Sequence, residues 1–405
     1  MGNTIKTLSD GDLVRKYLAA FHNKLKFLKT VNREYDDRFA NSGAKNGGTL
    51  LIKNPNEFSV RTGAVMDAQD VTESTQTLTV ATQKGVDVNM NSVEFTMSID
   101  SYEEMIINPA MDKLAAMVEY DVLSNVYKNV FNLTGTPATT PASLSCVLNA
   151  NARLTQGLAP QSDRYLLLDP LAMASTVNSV GAYFHKASEL ERAFSEGFIG
   201  TAAGLKWMES AMTPSHTNGT RDDTTPVCNT STGITSGSAS IVTTGADGTM
   251  TVGDVFTIAD VYAINRETKQ RYSHLQQFVI TTAHTNDGTD TWVVSPTPVT
   301  SCAKQNVELV SAGAGKAIVN VAAGGSGAAS AVYVQNLAYH KDAFTFVTAD
   351  LYMDSGARMS RANIEGVAMR LWRGNDIIND KFPMRLDVLY GYKTVKPEWA
   401  VRVRG

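Results

Sequence analysis

The stretch that decides the fold is residues 49–91, which reads TLLIKNPNEFSVRTGAVMDAQDVTESTQTLTVATQKGVDVNMN. Apolar residues alternate with polar ones along it, at Leu50, Ile52, Phe58, Val60, Leu78, Val80, Val86, Val88 and Met90. This period of two indicates β-strands, and Gly63 and Gly85 are the expected bends. The pattern therefore predicts a long, thin, two-stranded arm that has almost no apolar surface to bury.

An arm of this kind is only marginally stable by itself, because the little apolar surface that it buries does not offset the loss of backbone entropy. We therefore expect other copies of the chain to cover it. The charged residues spread along the arm are then candidates for the subunit interface, namely Arg61, Asp67, Asp70, Glu73, Lys84 and Asp87. A hairpin folded back against its own domain is the alternative, and the pattern alone does not decide between the two.

Bulk composition is that of a folded protein. The 405 residues are 43% hydrophobic and 19% charged, which leaves room for two or three domains with a hydrophobic core. A net charge of -4 lacks the basic footprint of a nucleic-acid binder, although it is compatible with enclosing nucleic acid. Three unpaired cysteines favour neither disulfides nor zinc. The absence of a long apolar run or a signal-peptide pattern predicts an intracellular soluble protein with no membrane contact.

Helical periodicity appears in the first half of the chain. It predicts an amphipathic helix over Asp10–Thr30 and a long helix from Pro109 to Phe131. The long helix carries an apolar stripe of Leu114, Val118, Val122 and Val126, which we expect to pack in the core of its own subunit. An α/β region follows, with helices expected over Leu144–Leu154, from Pro170 and over Ala187–Glu196, and a strand over Tyr165–Leu168.

Composition changes at about Thr213, after which Thr, Ser, Gly and Ala dominate as far as Ser330. Short β-type runs separated by turn residues occur at Ser240–Thr243, Val255–Ile258, Phe278–Thr282 and Thr291–Val294. They predict a small all-β barrel or sandwich. Because the mixed α/β composition returns afterwards, this β domain is predicted to be inserted into a loop of another domain.

Catalytic motifs are not found. The six histidines lack metal-ligand spacing, and neither a nucleophile elbow nor a complete phosphate-binding loop occurs. Gly313–Lys316 resembles part of such a loop but lacks its first glycine, and Asp350, Asp354 and Glu365 are more simply solvated surface carboxylates. We therefore predict no enzyme activity, no catalytic residue, no cofactor and no metal.

The order of these parts resembles the major capsid proteins of tailed bacteriophages, and among them the branch with an inserted β domain, typified by phage P22. The similarity is most specific at residues 336–347, NLAYHKDAFTFV, and it extends to the ending at Leu386–Gly391 and Lys396–Glu398. The resemblance implies an α+β fold of the HK97 phage capsid type that carries an inserted all-β barrel. It divides the chain into an N-terminal arm (1–48), an extended loop (49–92), a spine helix and peripheral domain (93–135), an axial domain (136–212 and 334–405, with a C-terminal peripheral strand) and the insert (213–333).

The same resemblance implies a homo-oligomer of hexamers and pentamers that closes into an icosahedral shell. Its implied partners are a scaffolding protein, a portal protein and enclosed double-stranded DNA that is bound without sequence specificity. Assembly is expected in the cytoplasm of the host bacterium, and the product is the virion capsid. Two alternatives remain at this point: an encapsulin-type protein compartment with the same fold, and an enzyme that carries a β carbohydrate-binding insert.

Overall fold

A computed structural model describes residues 10–33, 48–66, 68–70, 73–91, 108–135, 139–180, 200–221, 226–229, 233–310, 315–320, 330–354, 358–364 and 366–405. The described residues form two compact units. The first draws on Met1–Ile52, Thr75–Val122 and Phe344–Lys393, and the second on Lys53–Ser74, Leu123–Ala343 and Thr394–Gly405. The predicted helix over Ala187–Glu196 lies outside the described residues. Within the described ranges, no helix is both long and apolar enough to cross a membrane.

Four α-helices are described: α1 Asp10–Lys24, α2 Asn108–Val126, α3 Leu144–Gln156 and α4 Pro170–Val180. Single 3₁₀ turns occur at Tyr127–Asn129, Lys341–Ala343 and Pro397–Trp399. Helix α2 buries the whole predicted stripe of Leu114, Val118, Val122 and Val126. Burial of this stripe inside one subunit agrees with its predicted place in the core.

Helix α1 is shorter than the predicted Asp10–Thr30, because a side chain competes for its last backbone groups. The carboxylate of the buried Glu119 accepts hydrogen bonds from the backbone N–H groups of Lys26 (2.9 Å) and Phe27 (3.0 Å). Those groups would otherwise continue the helix. Burial raises the pKa of Glu119, and the two backbone donors oppose that rise. The apolar face continues past the helix end, where Leu25 and Leu28 are also buried.

The strands of the first unit are β1 Thr49–Lys53, whose last residue belongs to the second unit, β2 Thr75–Thr79, β3 Thr82–Asn91, β20 Phe344–Ala349, β21 Arg358–Ile364, β22 Val367–Arg373 and β23 Lys381–Thr394. Strands β1 and β2 pair with each other in a two-stranded sheet. The other five form one sheet in the order β20-β23-β22-β21, with β3 also paired to β23.

The second half of the predicted arm is therefore placed differently from the sequence-based expectation. Strand β3 runs antiparallel to β23 over ten residue pairs, from Thr82 opposite Tyr390 to Asn91 opposite Lys381. Alternation within β3 specifies a strand but not its partner, and the partner lies almost at the other end of the chain. Gly85 is not a bend: a Cβ atom there would lie 2.4 Å from the Leu386 carbonyl oxygen, so only glycine permits this close approach.

The strands of the second unit are β4 Leu133–Thr134, β5 Arg164–Leu168, β6 Thr201–Ala202, β7 Leu205–Glu209, β8 Ser215–Thr217, β9 Val227–Cys228, β10 Ser240–Ala246, β11 Thr249–Met250, β12 Val255–Ile264, β13 Arg271–Ile280, β14 His284–Thr285, β15 Gly288–Ser295, β16 Val307–Leu309, β17 Ile318–Asn320, β18 Val332–Val334, β19 Asn336–His340 and β24 Ala400–Val403. Six of them form a sheet in the order β4-β24-β19-β5-β7-β6. A shared core that includes Leu154, Leu166, Trp207 and Val401 packs α3 and α4 against this sheet.

The region predicted as an all-β domain is a barrel. Its sheet has the order β16-β12-β13-β15-β10-β9, with β17 also paired to β12. Backbone hydrogen bonds close the ring, because Cys228 donates to the Lys316 carbonyl (2.9 Å) and Ile318 donates to the Pro226 carbonyl (2.8 Å). Closure removes free strand edges, and the interior holds its own core around Phe256, Phe278 and Trp292.

Strands β8 and β18 pair antiparallel where the chain enters and leaves this region. Within β8 the buried His216 bonds through Nε2 to Asp254 (2.8 Å) and through Nδ1 to the Tyr127 hydroxyl (3.1 Å). Burial is the main reason that the pKa of His216 lies below its usual value, and the nearby Arg402 lowers it as well. The two paired strands bring the ends of the barrel region together.

The core position of α2 can be tested with Leu114→Ala. Truncation of a buried leucine to alanine typically costs about 2–5 kcal/mol, out of a total stability of about 5–15 kcal/mol for a domain. We expect a large loss of unfolding free energy in denaturant titrations of the unassembled subunit. Met117→Ala is the matched control on the same helix, because the Met117 side chain is exposed and its truncation should cost little. Equal effects of the two substitutions would contradict the assigned core.

Candidate subunit interface

Hydrogen bonds and ion pairs involve the described residues of the loop between β1 and β2, which spans residues 54–74. At its base the Asn54 N–H donates to the Ser74 carbonyl (2.9 Å), and Lys53 pairs with Glu73 (2.8 Å). Further out, the side-chain amide of Gln69 accepts from the Ser59 N–H (2.8 Å) and donates to the Ser59 carbonyl (2.7 Å). These contacts cross the loop without any apolar core.

Apolar side chains of this loop face solvent. Val60 is 96% exposed, Val65 85%, Met66 81% and Phe58 61%. Single exposed apolar residues are ordinary on a protein surface, but a group concentrated on one ordered loop marks an interaction site. The concentration of exposed apolar side chains on this loop is typical of a surface that binds another protein chain.

The predicted interface charges divide into two groups. Arg61, Asp70 and Glu73 lie on the loop and are exposed. Arg61 donates to the Gly63 carbonyl across the bend at Gly63, which has a φ of +100°. Asp67 lies outside the described residues. Glu73 is the member of this group that is already paired, with Lys53, and both side chains remain mostly solvated. An exposed pair of this type contributes at most about 1 kcal/mol.

Lys84 and Asp87 belong instead to β3, in the five-stranded sheet of the first unit. The Lys84 ammonium lies 3.5 Å from Asp121 and donates to the Met117 carbonyl (3.3 Å). The other Asp121 oxygen accepts from the Tyr390 hydroxyl (2.6 Å). Asp87 lies opposite Arg385 in the ladder. Lys84 is thus engaged within its own subunit, whereas Arg61, Asp70 and Glu73 on the loop are exposed.

Sequence reasoning missed a second exposed apolar site, at the turn between β22 and β23. Ile377 is 95% exposed and Ile378 is 92% exposed. Asp376 fixes the turn by accepting from the Ile378 N–H (3.0 Å) and from the Asn379 side-chain amide (2.7 Å). The available signal was two isoleucines between Asn–Asp pairs, since turn residues on both sides of apolar residues place them at a loop tip.

The side chains that could hold a metal ion are dispersed in the described part of the chain. Those residues contain no group of three or more His, Cys, Asp or Glu side chains placed to hold a metal ion. Asp350, a carboxylate considered for paired chemistry, lies 3.2 Å from Arg361 in an ion pair. The exposed apolar side chains of the loop and of the turn at Ile377 and Ile378 are the prominent surface features of the described residues.

The family model described as P22 coat protein, gene protein 5, matches residues 11–405 of this chain. The chain therefore belongs to the P22 coat protein family. It is a bacteriophage capsid protein with the α+β fold of the HK97 type, as the resemblance of its sequence implied. The comparison with curated proteins gives no match.

Several of the solved structures that are similar to this chain come from phages. A structure of Mycobacterium phage Che8 is 12% identical, with 93% of this chain and 90% of that chain covered and a TM-score of 0.49. The capsid of Ralstonia phage GP4 is 8% identical, with coverages of 93% and 87% and a TM-score of 0.42. The capsid structure of cyanophage P-SCSP1u is 12% identical, with coverages of 88% and 82% and a TM-score of 0.40. The assignment to the family rests on the family model.

The loop can be tested with the double substitution Val60→Asp and Val65→Asp. Both side chains are exposed in the subunit, so its unfolding free energy should change by no more than about 0.5 kcal/mol per site. A partner surface would have to bury two unpaired carboxylates, which is costly. We expect an unchanged melting temperature and a loss of assembled particles in sedimentation. Val310→Asp, at an exposed valine beside β16, is the control. Normal particle yield from the double variant would show that the loop is not a contact surface.

Proposed function

We propose that this protein is the major capsid protein of a tailed bacteriophage, and that its copies form hexamers and pentamers that close into an icosahedral shell around double-stranded DNA. Membership of the P22 coat protein family supports the proposal. The observation that carries it furthest is that the described part of the loop between β1 and β2 exposes four large apolar side chains. Exposure of several large apolar side chains to water is unfavourable. Contacts between subunits of a shell would bury these side chains at every equivalent interface.

We propose that the loop lies on a neighbouring subunit and that Arg61, Asp67, Asp70 and Glu73 surround its apolar contacts. A polar rim around an apolar centre is the usual arrangement of a protein interface. Each exposed ion pair contributes little, but a closed shell repeats every contact many times. The internal hydrogen bonds between Ser59 and Gln69 support this role, because a preordered loop loses less conformational entropy when it binds.

The charge of the chain supports enclosure of DNA rather than tight binding. Its net charge is -4, and affinity for DNA comes largely from neutralisation of phosphates by Lys and Arg. A mildly acidic subunit would let packaged DNA enter and leave the shell. By its resemblance to the family, we propose that assembly takes place in the cytoplasm of the host bacterium on a scaffolding protein, with a portal protein as a further partner.

Electron microscopy of the expressed protein tests this function directly. We expect closed icosahedral particles of one diameter when the scaffolding protein of the same phage is coexpressed, and irregular or open assemblies without it. Monomers alone at high concentration, with the scaffolding protein present, would contradict the proposal. Uniform particles that form without scaffold and enclose another protein would favour the encapsulin-type compartment instead.

We also propose that residues 213–333 form an inserted domain that folds independently. Support comes from the closed hydrogen-bond ring of the barrel, from its own core around Trp292, and from the pairing of β8 with β18 at its two ends. We propose the other domain boundaries as the sequence predicts them, with one change. The extended loop should end near Val80, because β3 is a strand of the five-stranded sheet.

A fragment that spans Thr213–Gln335 tests the insert, since it contains both paired end strands. We expect a single cooperative thermal transition and dispersed amide resonances. Trp292→Ala in this fragment should abolish the transition, because truncation of a buried tryptophan typically costs about 3–5 kcal/mol. A random-coil spectrum of the unaltered fragment would contradict independent folding.

A further inference from the structure

The second unit contains a cavity of about 60 Å³ between α3, the barrel and the segments near Asn132 and Glu398. Arg153 and Gln156 reach it from the last turns of α3, and Tyr272 and His274 reach it from β13. A single water needs about 10–15 Å³ of this kind of space. The cavity therefore has room for a few waters or for one small ion, and not for a peptide segment.

Arg153 brings a positive charge to the cavity that no described residue neutralises. Its guanidinium has neither a hydrogen bond nor an ion pair among the described residues, and burial lowers its pKa. Arg266, at the rim of the same cavity, shows the contrast: it pairs with Glu398 (3.1 Å) and lies 4.0 Å from Glu57. A recessed cation without an anion is costly unless a counter-charge comes from outside the chain.

Further polar groups around the cavity suit an anion. The Oε1 atom of Gln156 is buried without a hydrogen-bond partner among the described residues. Because the oxygen and nitrogen of a side-chain amide are interchangeable by a flip, this position is equally that of an N–H₂ donor. His274 stacks on Tyr272, with ring centroids 5.4 Å apart and planes 12° apart. Burial, and then the charge of Arg153, lowers the pKa of His274 to about 4, so at neutral pH it is a neutral ring with one N–H donor.

We propose that this cavity is a binding site for a small oxyanion of the phosphate type, held by Arg153 together with the Gln156 amide and the His274 ring. Guanidinium groups bind such oxyanions through parallel charge-assisted hydrogen bonds. Arg153 lies on α3, which packs on the six-stranded sheet, whereas His274 lies on the barrel. A bound ion would therefore join the barrel to the domain that carries it. The proposal does not depend on the assembly of a shell.

Titration calorimetry of the unassembled full chain with sodium phosphate, at constant ionic strength against chloride, tests the proposal. We expect one site per chain and a melting temperature that rises with phosphate concentration, as binding to the native state alone requires. Arg153→Gln should weaken binding roughly 10- to 100-fold, the usual effect of losing one charged hydrogen-bonding partner. Arg271→Gln is the control. Arg271 lies on β13, the strand that carries His274, but its guanidinium pairs with Glu308 (3.8 Å). Equal phosphate binding by both variants, or no binding by the unaltered chain, would overturn the proposal.

The titration of His274 provides a second measurement that does not require a variant to fold. An anion favours the protonated ring, so bound phosphate should raise the pKa of His274 from about 4 towards the ordinary histidine value. The C–H resonances of labelled histidine, followed by NMR as a function of pH with and without phosphate, report that shift. An unchanged His274 midpoint at saturating phosphate would place the ion elsewhere and contradict the site.

Discussion

The ladder between β3 and β23 is the constraint on which the first unit depends. It joins two segments near opposite ends of the chain over ten residue pairs. Strand β23 also pairs with β20 and β22, so the ladder joins β3 to strands that all lie within residues 344–394. Closing so long a loop costs chain entropy before any contact offsets it. Many consecutive backbone hydrogen bonds, rather than one strong contact, provide that compensation.

Gly85 and Asp387 show how closely the ladder is packed. They are paired residues, and a Cβ atom on Gly85 would lie 2.6 Å from the Asp387 carboxylate. That carboxylate is 1% exposed and accepts from Arg370 (2.8 Å) and Arg385 (2.8 Å). Burial raises the pKa of Asp387, but hydrogen bonds from the two arginines and from Gln83 lower it by a larger amount. The pKa of Asp387 therefore lies below its usual value. The charge is stable inside the sheet because two cations surround it.

Local signals in the sequence predicted much of this fold. Helical spacing identified α1 and the buried stripe of α2, and the change of composition identified the barrel. The partner of β3 could not be predicted. Alternation of polar and apolar residues predicts which side chains share a face of the strand, but it does not predict which other strand pairs with it. The early end of α1 could not be predicted either, since it depends on Glu119, a residue remote in sequence.

Contacts between residues that are remote in sequence could not be predicted at the candidate sites either. The loop was predicted from its lack of apolar partners, whereas the contact of Lys84 with Asp121 could not be predicted, because these two residues meet only in the folded unit. Nothing in the sequence around Arg153 distinguishes it from a solvated residue of an amphipathic helix. Its recessed position arises from the barrel strand β13, which lies more than a hundred residues later in the sequence.

A buried charge lies where the barrel meets the six-stranded sheet. Arg402 is fully buried, donates to the Gly253 carbonyl (2.7 Å) and lies 5.2 Å from the centre of the Tyr127 ring. Burial, and then repulsion from Arg404, lowers its pKa to about 10, so it stays charged at neutral pH. Asp254 supplies a nearby negative charge.

A displaced guanidinium would lose its hydrogen bond and its aromatic neighbour in a medium of low dielectric constant. Displacement of the barrel would therefore leave Arg402 without the Gly253 carbonyl. Apolar contacts lie at the same boundary, because Phe131 and Leu133 pack against Val255 and Val279 of the barrel. The side-chain amide of Gln277 also bonds to the backbone of Leu133. The buried charge thus acts together with apolar packing and hydrogen bonds where the barrel meets the six-stranded sheet.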